Sequence, residues 1–165
     1  FTDEAVVINS FSKYYCMTGW RIGWMVLPEK LVRVFEQLTQ NIYICAPDLS
    51  QIAAEAALSA REQLDGYCEI YRNNRNFLTK ALPAIGLPVA SPMDGAFYAY
   101  VDVSRYTNDS LAFARQILHE ANVAVTPGVD FDPENGGRFL RLSYAGTEAE
   151  ITEAVERIGN WLPAR

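Results

Sequence analysis

The stretch that decides the fold is SFSKYYCMTGWRIG, residues 10–23. It follows residues 5–9 (AVVIN), an apolar run rich in β-branched residues that predicts a short buried strand. Loops at the carboxyl ends of such strands are where α/β folds place ligands. Lys13 falls in such a loop, where partial desolvation makes a lysine amine available to form a Schiff base. The sequence therefore predicts a reactive lysine directly after a strand.

Other groups in the same stretch suit a phosphate. Arg21 opens the next predicted strand, residues 21–27, and a guanidinium can bind a phosphate through two parallel hydrogen bonds. Ser10 and Ser12 add hydroxyl donors. An amine, hydroxyls and an arginine this close in sequence are what a phosphorylated aldehyde requires. The Ser-x-x-Lys motif alone would not carry this conclusion, because four-residue motifs also occur by chance.

Residues 10–23 as a whole resemble the lysine signature of class I/II pyridoxal-phosphate-dependent aminotransferases, which are aspartate aminotransferase-like enzymes of fold type I. The shared features are small residues before Lys13, followed at a fixed offset by Gly-x-Arg-hydrophobic-Gly at residues 19–23. Cys16 departs from the family, which more often has Ala, Gly or Ser at this position. Cysteine is close to these residues in size, so the departure is minor.

The resemblance continues to the end of the chain. Residues 94–102 (DGAFYAYVD) resemble the family's Gly-Ala-Phe-Tyr strand, and residues 123–128 (VAVTPG), followed by Phe131, resemble its Pro-Gly-x-x-Phe turn. Residues 139–145 (FLRLSYA) resemble the strand whose arginine binds the substrate α-carboxylate. The motif assigns that role to Arg141, and a strand-borne guanidinium can orient a planar carboxylate by binding it bidentately.

What the resemblance implies is an α/β fold of the PLP-dependent transferase type, represented by its C-terminal part. We expect residues 1–60 to be the end of the large-domain sheet and helices, and residues 61–165 to be a small α+β domain. Lys13 would hold pyridoxal 5'-phosphate, with Ser10, Ser12 and Arg21 binding the cofactor. The substrates would be an amino acid and a 2-oxo acid.

Other parts of the family's catalytic machinery precede the lysine in the family's sequences. They include the Asp that pairs with the pyridine nitrogen and the upstream phosphate loop, and the residues before Lys13 are too few to contain them. We therefore expect this chain to be a fragment that is inactive alone. The complete enzyme would be a homodimer.

Composition excludes several function classes. The formal net charge is −6 and the pI about 4.8, which argues against nucleic acid or an anionic membrane as partner. Three cysteines at irregular spacing favour a reducing cytoplasm over a disulfide framework, and a single histidine supplies a metal site poorly. No apolar run has the length of a membrane span, and the chain begins without the pattern of a signal peptide.

Three alternatives stay open at the level of sequence. A serine acyl-enzyme also uses Ser-x-x-Lys, with Ser10 as nucleophile, but its Ser-Asp-Asn and Lys-Thr-Gly elements do not occur in this chain. A PLP-dependent carbon–sulfur lyase shares all of the motifs above. An aminotransferase-like sensor domain of a transcriptional regulator shares them as well. The amino donor is open too.

The remaining secondary structure follows from periodicity and turn residues. Asp48 or Ser50 is expected to cap an alanine-rich helix that ends near Ala60. The sheet of the second region is expected to be mixed or antiparallel. The other predicted helices span residues 29–40, 61–82, 110–121 and 148–161, and the other predicted strands span residues 88–90, 97–103, 123–126 and 139–144.

Overall fold

The part of the chain that the computed structural model describes, residues 3–162, begins with an antiparallel hairpin. Strand β1 (Val7–Ser10) pairs with β2 (Gly23–Val26), and Ser10 lies opposite Gly23. The strand predicted at residues 5–9 is present, shifted toward the loop. Its predicted burial is wrong, because both strands are exposed along their whole length. The physical reason is that these two strands pair only with each other, so no further strand or layer of this sheet covers them.

Two helices follow, and each begins directly after a proline. Helix α1 (Glu29–Ile42) starts after Pro28, and α2 (Asp48–Ala57) starts after Pro47. Proline suits a helix start because its fixed φ matches the helix and its missing N–H would have no intrahelical partner there. Both helices were predicted, and α2 ends slightly earlier than expected.

The predicted caps of α2 are wrong. Asp48 is the first helical residue, and no side chain caps the helix. Ser50 lies inside α2 and is buried, and its hydroxyl donates a hydrogen bond of 2.8 Å to the backbone carbonyl of Trp20. Ser50 thus ties α2 to the loop that contains Lys13, which is a tertiary role that a local sequence pattern does not reveal.

Helix α3 (Arg61–Ala84) runs through the point at which the chain divides into two compact units, between Gly66 and Tyr67. The helix was predicted from the same first residue. The expected boundary between domains, after residue 60, is the start of this helix, whereas the division by contacts lies within its second turn.

The second unit contains an antiparallel sheet with the strand order β3-β5-β4. Its strands are β3 (Tyr98–Asp102), β4 (Thr126–Pro127) and β5 (Phe139–Ser143). Of the sequence predictions for this sheet, the antiparallel alternative is confirmed. The strand predicted at residues 88–90 is reduced to a single bridge between Val89 and Val101.

Helices pack against the core face of this sheet. They are α3, through Leu78 and Leu82, α4 (Ser110–Gln116), which continues into a π-helical turn (Ile117–Ala121), and α5 (Glu148–Trp161). Alternate residues of β3 and β5 are fully or nearly fully buried and form the centre of the core: Ala99, Val101, Leu140 and Leu142. The residues between them therefore lie on the opposite face of the sheet, because side chains alternate along a strand.

No helix within residues 3–162 is both long enough and apolar enough to span a membrane.

Candidate active-site residues

The loop between β1 and β2 is held in shape by its own backbone. The N–H of Phe11 donates to the carbonyl of Ile22 at 3.1 Å, and the N–H of Met17 donates to the carbonyl of Phe11 at 3.1 Å. Phe11 and Met17 are buried and pack with Ala54 of α2. Two apolar anchors and a closed backbone path thus give the residues between them a defined position on the first unit.

Lys13 lies in the middle of this loop and is exposed. Its carbonyl accepts a hydrogen bond of 2.9 Å from the N–H of Cys16, which closes a tight turn, and Cys16 adopts a positive φ of 56°. The expected desolvation of the lysine is therefore not provided by the described residues. What the turn provides is position, because it fixes the backbone on the carboxyl side of Lys13.

The residue after Lys13 is anchored to helix α3. Tyr14 donates its hydroxyl to Asp65 at 2.7 Å, and Arg61 donates to the same carboxylate at 3.4 Å. The hydrogen bond from Tyr14 is the largest of the influences that lower the pKa of Asp65, so the carboxylate stays charged and available as an acceptor. Sequence reasoning missed this link, since nothing local to either residue indicates the pairing.

The predicted phosphate-binding residues lie at the loop end of the hairpin. Ser10 is the last residue of β1, and its register partner, Gly23, follows Arg21 closely. The hydroxyl oxygen of Ser10 accepts a hydrogen bond of 3.0 Å from the N–H of Ser12. That bond uses a lone pair of Ser10, so the hydroxyl proton can still be donated to an anion.

Arg21 holds a backbone conformation that is costly for a residue with a side chain. Its φ of 50° and ψ of 49° lie in the left-handed region, at the end of the short 3-10 helix Thr18–Trp20. Non-glycine residues in this region carry a strain of about 1 kcal/mol or more and cluster at functional sites. One guanidinium nitrogen, Nη1, donates to the carbonyl of Thr18 at 2.8 Å, which steadies the side chain and leaves its other donors.

Arg141 lies on the central strand of the second unit's sheet. It is opposite Tyr100 of β3 and opposite Thr126 of β4, on the face away from the core. Its Cζ lies 4.1 Å from the ring centroid of Tyr98 and 4.2 Å from that of Phe131. The guanidinium therefore contacts two aromatic rings at once, and we call Tyr98 and Phe131 the aromatic clamp.

Arg141 has an unpaired hydrogen-bond donor and no ion pair within its own unit. Its Nε is buried and has no hydrogen-bond partner, and no carboxylate of residues 3–162 forms an ion pair with its guanidinium. A buried donor without a partner costs about 1–3 kcal/mol, so such an atom needs an explanation. A half-buried arginine that contacts the aromatic clamp and forms no ion pair is suited to bind an anion.

The nearby acid, Asp132, is already engaged by its own turn. Its Oδ1 accepts hydrogen bonds of 3.0 Å from the N–H groups of Glu134 and Asn135. The bond from Asn135 comes first among the causes that hold the pKa of Asp132 below its usual value. Burial, and then the charge of Asp132, raise the pKa of Tyr100, so this phenol stays neutral at physiological pH.

Ser10, Ser12, Lys13 and Arg21 all lie on the first unit, in or next to the loop between β1 and β2, and Arg141 lies on the second. Sequence motifs predict a role for each of these five residues, and these roles stay predictions. They did not indicate the ring of Tyr98 as a contact of Arg141, although Tyr98 lies within the quoted strand motif. In the part of the chain described, no cluster of His, Cys, Asp and Glu side chains could hold a metal ion.

Comparison with known proteins shows to which family the chain belongs. The model of the family described as aminotransferase class I and II matches residues 2–158. The chain belongs to this aminotransferase family. A valine–pyruvate aminotransferase from Mycobacterium tuberculosis is 51% identical over 98% of this chain and 42% of that protein.

Solved structures of aminotransferases have the same fold. The crystal structure of an aminotransferase from Mycobacterium tuberculosis matches 99% of this chain and 43% of that chain, with a TM-score of 0.95 at 50% identity. An aspartate aminotransferase from Thermotoga maritima matches 96% of this chain and 40% of that chain, with a TM-score of 0.82 at 32% identity. The chain thus spans about two-fifths of the length of the relatives that it matches. Serine acyl-enzymes are not members of this family, so the hypothesis that Ser10 is an acyl-enzyme nucleophile is wrong.

Aminotransferases of this family generally use pyridoxal phosphate, and the residues at the loop end of the hairpin fit that group. Lys13 supplies a primary amine for the aldehyde carbon, and Ser10 retains a hydroxyl proton for a phosphate oxygen. Arg21 supplies a cation whose backbone is already fixed at that end. The donor set of an amine, hydroxyls and a guanidinium is complementary to a phosphorylated aldehyde.

Proposed function

We propose that the full-length protein containing this chain is a PLP-dependent aminotransferase, in which Lys13 holds the cofactor. The observation that carries the proposal is the lysine loop. In a member of the aminotransferase family, this loop places an amine, hydroxyls and a strained arginine at one end of a hairpin. The names of the relatives support transamination over the carbon–sulfur lyase and the sensor domain.

The cofactor, when bound, supplies an electron sink for the substrate's α-carbon. Lys13 has two tasks in this proposal. Its Nζ would hold the aldehyde carbon of the cofactor. Once the substrate amine has taken that place, the same nitrogen would take the proton from the α-carbon of the amino donor, and in the second half-reaction it would give a proton to the α-carbon of the 2-oxo acid. The turn closed by Cys16 keeps the backbone of Lys13 in place while its side chain moves between these tasks.

Ser10, Ser12 and Arg21 have a binding task. The hydroxyl of Ser10 and the guanidinium of Arg21 donate to the phosphate, while the N–H of Ser12 fixes the orientation of the Ser10 hydroxyl through its 3.0 Å hydrogen bond. The left-handed backbone of Arg21 aims its side chain in a direction that an extended or helical backbone would not give.

Arg141 binds the substrate α-carboxylate. A planar guanidinium can donate two parallel hydrogen bonds to a carboxylate, which fixes the orientation of the α-carbon relative to the reacting groups. The guanidinium of Arg141 forms no ion pair with a carboxylate of residues 3–162, so its charge is available to a substrate anion.

The substrate pair is proposed from the relative at 51% identity, a valine–pyruvate aminotransferase. We propose that the protein transfers the amino group of a small aliphatic amino acid such as valine to a small 2-oxo acid such as pyruvate. The protein would act as a homodimer in the cytoplasm. The chain alone would be inactive, because Lys13 is exposed in it and it spans about two-fifths of the length of its relatives.

The test is the reaction of the full-length protein with valine and pyruvate in the presence of PLP. We expect alanine and the 2-oxo acid of valine in equal amounts, with aspartate and aromatic amino acids as comparison donors. Lys13→Ala should abolish the reaction, and Arg141→Lys should raise KM for both substrates roughly tenfold or more, because it removes a bidentate contact. Release of ammonia and pyruvate from a sulfur-containing amino acid without any acceptor would identify a lyase instead.

A further inference from the structure

The guanidinium of Arg141 is seated on two rings and has no anionic partner. Its Cζ lies 4.1 Å from the ring of Tyr98 and 4.2 Å from the ring of Phe131, and both distances are within the range of a cation–π interaction. No acidic side chain among residues 3–162 forms an ion pair with Arg141. Asp132, which follows Phe131 in the sequence, accepts hydrogen bonds from its own turn. The rings are thus what holds the charged end of Arg141 in place.

Tyr98 reaches Arg141 because of strand register. Tyr98 lies opposite Ser143, and Arg141 lies opposite Tyr100, so Tyr98 and Arg141 are diagonal neighbours on the same face of the β3–β5 pair. Diagonal neighbours in an antiparallel sheet are within reach when one of them is aromatic or long. Tyr98 is therefore supplied by the rigid sheet itself.

Phe131 reaches Arg141 through a tight turn. It ends the 3-10 helix Gly128–Asp130, and its N–H donates to the carbonyl of Gly128 at 2.9 Å. Gly128 packs so closely on the neighbouring backbone that an added Cβ would lie 2.5 Å from the carbonyl oxygen of Gly136. The close approach of Gly128 to the backbone of Gly136 thus fixes the turn. Phe131 itself is 50% exposed, so a substitution there disturbs little of the buried core.

We propose that Tyr98 and Phe131 are positioning residues, which together hold the Arg141 guanidinium in the orientation that binds a substrate carboxylate. The proposal rests on the proposed function of Arg141. Phe131 is the ring of the clamp that can be substituted without altering the sheet, because it lies at a turn, whereas Tyr98 lies on β3. The aromatic clamp makes Phe131 a determinant of the preference for substrates that carry an α-carboxylate.

An aromatic ring and a carboxylate would hold the guanidinium of Arg141 in different ways. A carboxylate side chain could also hold an arginine, but it would accept the same N–H donors that the substrate needs and would neutralise the charge. A ring attracts the cation through its quadrupole and accepts no N–H at the edge of the guanidinium. The clamp therefore orients Arg141 while leaving its charge and its in-plane donors for the ligand.

The test uses the full-length protein and compares Phe131→Leu with Phe131→Tyr. Leucine keeps apolar bulk but removes the ring, so we expect KM for both the amino acid and the 2-oxo acid to rise roughly 3- to 30-fold, with little change in kcat. Tyrosine keeps the ring and should restore KM to near the wild-type value. The half-reaction with a primary amine that lacks a carboxylate should be the same in wild type and Phe131→Leu.

Phe139→Leu is the matched control. Phe139 lies on β5, is partly buried, stacks on Tyr100 at 5.0 Å and contacts Arg138 rather than Arg141. We expect this variant to leave KM for carboxylate substrates unchanged. Thermal unfolding of all variants identifies any general loss of structure.

The outcomes separate the two claims. The clamp would be overturned if KM were unchanged in Phe131→Leu, or if this variant lost as much activity with the carboxylate-free amine as with carboxylate substrates. The proposed function would still stand in that case, provided that the wild type is active and its KM depends on Arg141. An equal rise of KM in Phe139→Leu would also overturn the clamp. A wild-type enzyme whose KM does not respond to Arg141→Lys would overturn the proposed function itself.

Discussion

Gly128 shows how one residue determines the geometry around Arg141. An added Cβ at this position would lie 2.5 Å from the carbonyl oxygen of Gly136 and 2.7 Å from that of Phe139. Both are backbone atoms that cannot rotate away, so the turn must shift. The expected cost of such overpacking in Gly128→Ala is about 1–3 kcal/mol of stability. Because Phe131 follows this turn, KM for the 2-oxo acid should rise as well.

The control for this variant is Gly66→Ala. Gly66 lies inside α3, and an added Cβ would meet nothing within 4 Å. Alanine in a helix interior is favoured over glycine by about 0.5–1 kcal/mol, so this variant should be slightly more stable than wild type. Urea denaturation of the full-length protein measures the stability of both variants. A Gly128→Ala protein with wild-type stability and KM would show that the turn can relax without disturbing Arg141.

The residues of the candidate site could be found from sequence, but their contacts could not. Lys13, Arg21 and Arg141 stand at fixed offsets within motifs, and offsets are visible in a sequence. The hydrogen bond from Tyr14 to Asp65 and the contact of Tyr98 with Arg141 depend on packing and strand register. The exposure of Lys13 was not expected, because its desolvation was inferred from a rule for buried strands, and β1 is exposed.

Among the elements, α5 was predicted with its observed bounds, and the structure shows a cap at its start. Thr147 and Glu150 form a capping box, in which the N–H of Thr147 donates to the Glu150 carboxylate at 2.9 Å and the Thr147 hydroxyl accepts from the N–H of Glu150. Such a box is a local signal that sequence carries. The strand β4 was predicted as residues 123–126 but observed as Thr126–Pro127, because its register is set by β5 rather than by its own residues.

The capping box predicts a pH dependence of stability. The backbone N–H of Thr147 comes first among the groups that lower the pKa of Glu150. A carboxyl group whose pKa is lower in the folded state stabilises the fold above its unfolded pKa, and that contribution is lost as the pH falls through the folded value. Glu150→Gln should therefore be less stable than wild type at neutral pH, and the difference should vanish in acid.

Thermal unfolding of wild type and Glu150→Gln across this pH range is the measurement. Thr147→Ala is the companion variant, and it should cost about 1 kcal/mol through loss of the N-terminal cap. Glu148→Gln serves as the control, because Glu148 also lies in the first turn of α5 but is not part of the box. A stability difference between wild type and Glu150→Gln that persists unchanged in acid would contradict the role of the carboxylate.

At the scale of the whole molecule, the chain consists of two units with different tasks. The first unit carries the residues proposed for the cofactor, and the second carries the residue proposed for the substrate carboxylate. Several large apolar side chains of the first unit are more than half exposed, among them Ile8, Ile42 and Ile44. Their exposure accords with the proposal that the full-length protein extends beyond this chain, which spans 42% of the valine–pyruvate aminotransferase that it resembles.

The most direct test of the central claim is to incubate the full-length protein with PLP, reduce it with borohydride and map the modified lysine by mass spectrometry. This chain contains three lysines, Lys13, Lys30 and Lys80, so the other two serve as internal controls. Lys30 pairs with Glu4, and Lys80 is exposed on α3. We predict selective modification of Lys13, with no selective site left in Lys13→Ala. Modification of Lys30 and Lys80 to the same extent as Lys13 would contradict the assignment of Lys13 as the cofactor lysine.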